Sequence, residues 1–270
     1  MLYWILKRVV LGPLVLLLFR PRVEGAEHVP AEGGAILASN HLSFSDSIFL
    51  PAVLKRRITF PAKMEYFTQE GAVGYAKRMF MKGTGQIPID RSGGSASAAA
   101  IDAGLQVLAE GGLFGIYPEG TRSPDGRLYK GKTGVARMAL AAGCPIIPVA
   151  MIDTDRAQPT GQKIPNITQV GVRFGEPIDL SAYAGLEHDR RVLRAITDEV
   201  MYALMRLSGQ EYVDEYAAGR KLALAAKAQE AAARAQGAAA RAQDAWATAR
   251  VRRTGRQASD MQDEAGQPGS

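Results

Sequence analysis

Ala35-Ile36-Leu37-Ala38-Ser39-Asn40-His41-Leu42-Ser43-Phe44-Ser45-Asp46-Ser47-Ile48-Phe49-Leu50 decides the fold class. Its first five residues are a short apolar run that predicts a strand, and Ile48-Phe49-Leu50 predicts the start of a helix. His41 then falls at a strand end and Asp46 in the first helical turn. Working outward, the same alternation continues. A helix is expected near Asp46–Leu54, a strand near Arg57–Pro61, and an extended segment over Thr84–Asp90, where Pro88 suggests an edge or a strand end. Ile101, Leu105 and Leu108 share one face of a helix that Gly111-Gly112 stops. Leu113–Tyr117 reads as a buried strand, Gly134–Ala142 as a helix ended by Gly143, and Pro145–Ala150 as another apolar strand. Val170–Phe174 reads as a late strand, and Val192, Ile196, Val200 and Leu204 mark a final amphipathic helix. This pattern predicts an α/β layered domain with a mainly parallel sheet flanked by helices, whose function collects at loops beyond strand ends.

Composition sets the limits of that domain. At 270 residues the chain carries one catalytic-sized domain with extensions, divided here as 1–30, 31–216 and 217–270. Its net charge of +6 is concentrated at the ends. Residues 1–30 hold four basic and two acidic side chains, residues 217–270 hold nine and five, and the middle is neutral. Positive ends on a neutral body suit an anionic membrane surface. Nucleic acid is poorly served, because aromatics are sparse and the tail has only Trp246 for stacking. The lone Cys144 excludes an intrachain disulfide and fits a reducing compartment.

The N-terminal nineteen residues are largely apolar, but Lys7 and Arg8 interrupt them, and Val9–Phe19 contains Gly12 and Pro13. That run falls short of the roughly 20 residues a spanning helix needs. It also lacks a signal-peptide cleavage pattern. With Tyr3 and Trp4 suited to the headgroup level, it predicts a helix lying in one leaflet, with the domain facing the cytoplasm. After Tyr216 the sequence turns to alanine, arginine and glutamine, with AAARAQ at 231–236 and again at 238–243. This predicts a solvated basic helix whose alanine seam is too small to drive a coiled coil, then a disordered segment from Arg253.

Chemistry enters with His41 and Asp46, five positions apart. A neutral imidazole can accept a proton near neutral pH, and a carboxylate beside it can orient the ring and stabilise its charged form. Ser43 and Ser45 are candidate nucleophiles, although Ser45 is better placed to cap the helix. The simpler arrangement makes a substrate hydroxyl the nucleophile. Two further polar clusters follow predicted strands. Gly85-Gln86-Ile87-Pro88-Ile89-Asp90-Arg91 places Arg91 before a Ser/Gly-rich loop, a favourable place for a phosphate or, more plainly, a surface turn. Tyr117-Pro118-Glu119-Gly120-Thr121-Arg122-Ser123 offers a carboxylate, hydroxyls and a guanidinium, a mix suited to a polyol phosphate or to a polar turn closed by Glu119 and Arg122. Cys144-Pro145-Ile146-Ile147-Pro148-Val149 reads as structural.

Together these segments resemble the glycerolipid acyltransferase family, most closely the bacterial 1-acylglycerol-3-phosphate acyltransferases. The N-H-x-S-x-x-D block is matched by Asn40, His41, Ser43 and Asp46, and G-x-I-P-[IV]-x-R by Gly85 to Arg91. F-P-E-G-T-R-S is matched from Pro118 to Ser123, with Tyr117 replacing phenylalanine. The proline-bearing apolar strand is matched by Pro145 to Pro148. The resemblance implies fatty acyl transfer from acyl-CoA or acyl carrier protein to lysophosphatidic acid, forming phosphatidic acid at a membrane surface, with no metal or other cofactor. It implies His41 as general base, Asp46 as its orienting partner and Arg91 on the acceptor phosphate. Glu119 and Gly120 would place the glycerol, supported by Thr121 and Arg122. Lys82 and Lys132 become further candidate phosphate contacts, and Pro148 would shape the floor of the site. Glycerol 3-phosphate or another lysolipid as acceptor, and a non-catalytic membrane binder, are the alternatives.

Overall fold

A computed structural model describes residues 2–89 and 96–265. The chain opens with α1 (Leu2–Ile5), a π-helical turn (Leu6–Val10) and α2 (Leu11–Phe19). There follow β1 (Arg22–Glu24), β2 (Ala35–Ser39), α3 (Asp46–Val53), β3 (Ile58–Lys63), α4 (Glu65–Thr68), α5 (Gly71–Gly83) and β4 (Gln86–Ile89). Next come α6 (Ala96–Ala109), β5 (Leu113–Ile116), β6 (Leu128–Tyr129), α7 (Gly134–Ala142), β7 (Ile146–Ile152) and α8 (Thr154–Ala157). The series closes with β8 (Gly171–Phe174), α9 (Arg190–Ser208), β9 (Tyr212–Val213) and α10 (Ala217–Ala265). Local chemistry accounts for several of these limits. Gly143 ends α7 in the left-handed region, at φ 60°, and its N–H closes back on Ala139 and Leu140. Asp189 caps α9 by accepting from the N–H groups of Arg191 and Val192.

Seven strands form one sheet in the order β1-β8-β7-β2-β5-β3-β4. Every described pairing within it is parallel except β7 with β8. The expected α/β architecture with a mainly parallel sheet and flanking helices is what the chain adopts. Alternation along the central strand β2 divides the core in two. Ala35 and Leu37 face a cluster with Val15, Phe19, Phe49 and Leu50, which brings α2 and α3 to one side. Ile36 and Ala38 face Phe114, Met138, Leu193, Ile196 and Val200, which brings α6, α7 and α9 to the other. Strand β4, with Pro88, is an edge, the first of the two places open to that proline.

The N-terminal segment is less regular than a single helix. At Gly12 an added Cβ would lie 1.9 Å from the Lys7 carbonyl oxygen, so the wide π turn closes on a residue without a side chain. Lys7 turns inward to donate to the Arg56 carbonyl at 2.8 Å. Val15 and Phe19 are buried, with Phe19 edge-on to Phe49 at 4.9 Å, while Val9, Leu14, Leu16 and Leu17 remain exposed. Among the described residues no helix is long and apolar enough to cross a membrane.

The chain divides into two compact units, Met1–Ala218 and Gly219–Ser270. Helix α10 runs to Ala265, past the Arg253 at which disorder is expected. The reason is compositional, since Arg, Gln, Ala and Met sustain a helix and the single Gly255 costs only about 1 kcal/mol.

Candidate active site

The catalytic candidates meet because parallel strands end side by side. In the β2–β5 pair Ala38 lies opposite Ile116. Continuing that register three residues beyond this pair sets His41 opposite Glu119, and the His41 N–H donates to Glu119 Oε2 at 3.2 Å. The following turn then closes on the other side of the same residue, with the Ser123 N–H donating to the His41 carbonyl at 2.7 Å. The main chain of His41 is therefore clamped at both its polar groups by residues 119–123.

The imidazole is held just as closely. Asp46, fully buried at the start of α3, accepts through Oδ2 from His41 Nδ1 at 2.8 Å and from the N–H groups of Leu42 and Ser43 at 2.8 and 2.9 Å. A carboxylate acceptor at Nδ1 assigns the proton there and leaves Nε2 with its lone pair. The His41 side chain is 17 % exposed, enough for that edge to be reached. Its ring stacks on Tyr117, with centroids 3.8 Å apart and planes 10° from parallel.

Neither serine is available as a nucleophile. The Ser43 hydroxyl donates to the Gln158 carbonyl at 2.9 Å, and the Ser45 hydroxyl donates to the Gln158 side chain. Ser45 does occupy the N-cap position of α3, yet it makes no capping hydrogen bond, contrary to expectation. Asp46 satisfies the loop N–H groups ahead of the helix in its place.

Glu119 is buried and works on backbone, accepting from His41 through Oε2 and from the Tyr129 N–H through Oε1 at 2.9 Å. Gly120 sits at φ 74°. A Cβ there would meet Lys132 Nζ at 3.1 Å, so the glycine lets the Lys132 side chain lie along this turn. Lys132 is anchored by its own N–H, which donates to the Pro118 carbonyl at 2.8 Å. Thr121 and Arg122 complete the turn, both half-buried. The structure thus gathers His41, Asp46, Glu119, Gly120, Thr121, Arg122 and Lys132 at one end of the sheet. Lys82 is exposed in the last turn of α5, before the edge strand, and none of its described contacts joins it to the His41 loop. Arg91 lies outside the described residues. Pro148 is buried in β7 opposite Ala38, inside the sheet and below the loops.

Three residues support the site, and two of them, Gln158 and Gln210, carry no signal in the sequence. Asn40 continues the sheet, exchanging hydrogen bonds with the backbone of Met151 at 2.7 and 2.9 Å. Gln210 accepts from Asn40 Nδ2 at 2.7 Å and donates to the Gly126 carbonyl at 2.6 Å. Gln158 holds both serines. The first belongs to a quoted block and was open to structural interpretation. Gln158 lies 115 and 113 residues from Ser43 and Ser45, and Gln210 lies 170 from Asn40 and 84 from Gly126, with nothing local to mark them.

Residues 20–152 match the family model described as Acyltransferase. The chain is 30% identical over 162 residues to a chloroplastic 1-acyl-sn-glycerol-3-phosphate acyltransferase of Arabidopsis thaliana, covering 59% of this chain and 44% of that one. It is 29% identical over 191 residues to the 1-acyl-sn-glycerol-3-phosphate acyltransferase of Bacillus subtilis, covering 70% of this chain and 88% of that one. The chain therefore spans less than half the length of the plant relative and most of the bacterial one. The 1-acyl-sn-glycerophosphate acyltransferase PlsC from Thermotoga maritima shares the fold, with a TM-score of 0.55 and 23% identity over 74% of this chain and 81% of that one. The matched segment contains His41, Asp46, Glu119 and Lys132, and residues 20–152 are thus similar to an acyltransferase domain.

Proposed function

We propose that the chain moves a fatty acyl group from a thioester, acyl-CoA or acyl carrier protein, to the free hydroxyl of 1-acylglycerol 3-phosphate, forming phosphatidic acid. The observation that carries this reading is the Nδ1–Asp46 hydrogen bond, which leaves His41 Nε2 as a base on a rigidly clamped loop. In the proposed reaction Nε2 takes the proton of the acceptor hydroxyl while that oxygen attacks the thioester carbonyl. The new C–O bond forms, the C–S bond breaks, and the departing thiolate recovers the proton from the imidazolium. Asp46 stays ionised and offsets the positive charge of the ring. No acyl-enzyme forms, in keeping with serine hydroxyls already committed to Gln158.

Arg91 is assigned to the acceptor phosphate, with Lys132 and Arg122 adding positive charge and Lys82 a more distant contributor. Gly120 and Thr121 are assigned to the glycerol. Glu119 is assigned mainly to holding His41, since both of its oxygens accept backbone N–H groups. Residues 31–216 are the catalytic part. The exposed apolar side chains of the N-terminal helices, with the exposed Arg8 among them, support a seat on the cytoplasmic face of the cell membrane. Residues 217–270 serve as an accessory basic anchor.

The test is the purified protein supplied with acyl donor and, separately, lysophosphatidate, glycerol 3-phosphate and lysophosphatidylcholine. Turnover with lysophosphatidate is expected, and His41→Ala is expected to lower it at least ~10²-fold. Turnover only with another acceptor, or a His41→Ala protein near wild-type rate, overturns the assignment. Deleting residues 217–270 should preserve turnover of a soluble donor while weakening binding to anionic vesicles. Loss of turnover would make the tail part of the catalytic unit.

A further inference from the structure

We infer that Tyr117 is a positioning residue for His41, fixing the plane of the imidazole through its ring and tying that plane to α3 through its hydroxyl. The inference rests on the acyltransferase reading and adds to it a residue that the His41–Asp46 pair does not require. A hydrogen bond through Nδ1 fixes one atom of the imidazole but leaves the ring free to rock about that bond. A base must present Nε2 within hydrogen-bond reach of the hydroxyl it deprotonates, so the remaining freedom has to be removed elsewhere.

The structure removes it with a parallel plate. Tyr117 lies 3.8 Å from the His41 ring at 10°, and it also stacks on Phe60 at 5.5 Å and 18°. Phe60 is itself fixed in β3, pressed against the bare backbone of Gly115, where a Cβ would stand 2.2 Å from its ring. The plate is tethered at its far end, because the Tyr117 hydroxyl and the Ser47 hydroxyl share a hydrogen bond of 2.8 Å. Ser47 follows Asp46 in the first turn of α3. The two residues that hold the imidazole, one by its edge and one by its face, are thus anchored to the same helical turn. Burial, reinforced by the nearby Asp46 carboxylate, pushes the Tyr117 phenol well above its usual value, so it keeps its proton and can hold the tether.

Substitutions separate plate from tether. Tyr117→Leu removes the plate. Tyr117→Phe keeps the plate and removes the tether, and Ser47→Ala removes the tether from its other end. We expect Tyr117→Leu to lower kcat by about 10–100-fold with both KM values within about twofold, since small misplacement of a reacting group costs up to that much. Tyr117→Phe and Ser47→Ala should each lower kcat a few-fold. The double variant should be no worse than the poorer single one, because the second change removes a partner already lost. A Tyr117→Leu protein with wild-type kcat, a loss confined to KM, or additive single effects would overturn the proposal.

A readout independent of turnover keeps this separate from the functional reading. In proton NMR of the full chain, stacking should shift the His41 ring protons upfield relative to those of His28 and His188. The shift should persist in Tyr117→Phe and vanish in Tyr117→Leu. If the wild-type protein lacks acyltransferase activity but shows this pattern, the functional reading fails and the positioning stands. If His41 shows no upfield shift in the wild type, the positioning fails whatever the activity. Should Tyr117→Leu not fold, the Tyr117→Phe and Ser47→Ala cycle with the wild-type spectrum decides.

Discussion

Replacing Asp46 by asparagine tests the site most directly, since it alters charge with almost no change of shape. Three N–H donors, from His41 Nδ1, Leu42 and Ser43, converge on Oδ2. Only the amide oxygen of an asparagine can satisfy them, so the new NH2 must occupy the place of Oδ1. That place is buried and has no hydrogen-bond partner among the described residues. Two donors without acceptors there should cost about 1–3 kcal/mol of stability. For a unit of this size that corresponds to a fall in Tm of roughly 2–4 °C per kcal/mol. The catalytic loss should be larger. A neutral amide cannot stabilise the imidazolium, so kcat should fall by about 10²–10⁴-fold, equivalent to roughly 3–5 kcal/mol of barrier. Thermal melts and initial rates with lysophosphatidate, measured at saturating donor, check both numbers. A variant within tenfold of wild-type kcat would show that the carboxylate only shapes the loop, and a Tm at or above wild type would place an acceptor beside Oδ1.

Two further outcomes are expected. Gln210→Ala removes two hydrogen bonds that join the segment after α9 to Asn40 and Gly126, so urea unfolding should show a loss of about 1–3 kcal/mol; an unchanged midpoint would show these bonds to be replaced by water at no cost. Burial, with the adjacent Arg8 charge, pulls the Lys7 ammonium down to about 8 from its ordinary 10.5. Below pH 8 it is charged in both the folded and unfolded states and the fold bears the full cost of burying it. Between about 8 and 10.5 the unfolded chain binds the extra proton, so wild-type stability should rise with pH relative to Lys7→Met. Melts over pH 7–10.5 that run parallel for the two proteins would contradict this.

Local chemistry made much of the molecule legible. Strand β2, strand β5 and helix α7 stand where their apolar runs and flanking glycines place them, and β7 and β8 begin one residue later than expected. Their signals lie within a few residues of the elements themselves. Segments whose structure depends on distant partners were not legible. Strands β6 and β9 are two residues each, and they exist because Leu128 and Tyr129 find Tyr212 and Val213. Helix α5 carries glycine at Gly71, Gly74 and Gly83, and it exposes Val73 and Tyr75, which blurs its periodicity.

The site divides along the same line. His41 and Asp46 are five residues apart, on either side of one turn, so their meeting was written in the chain, as were the polar residues after each strand. What surrounds them was decided by the sheet. The β2–β5 register brings Glu119 and Ser123 onto the His41 backbone and Tyr117 onto its ring, and β7, paired on the other edge of β2, leads Gln158 onto both serines, across separations that no local pattern records. A sequence specifies side chains and short-range turns, whereas the offset between parallel strands follows from packing the whole core. The sequence therefore named the histidine and its carboxylate partner, and the tertiary structure alone determined what holds them still.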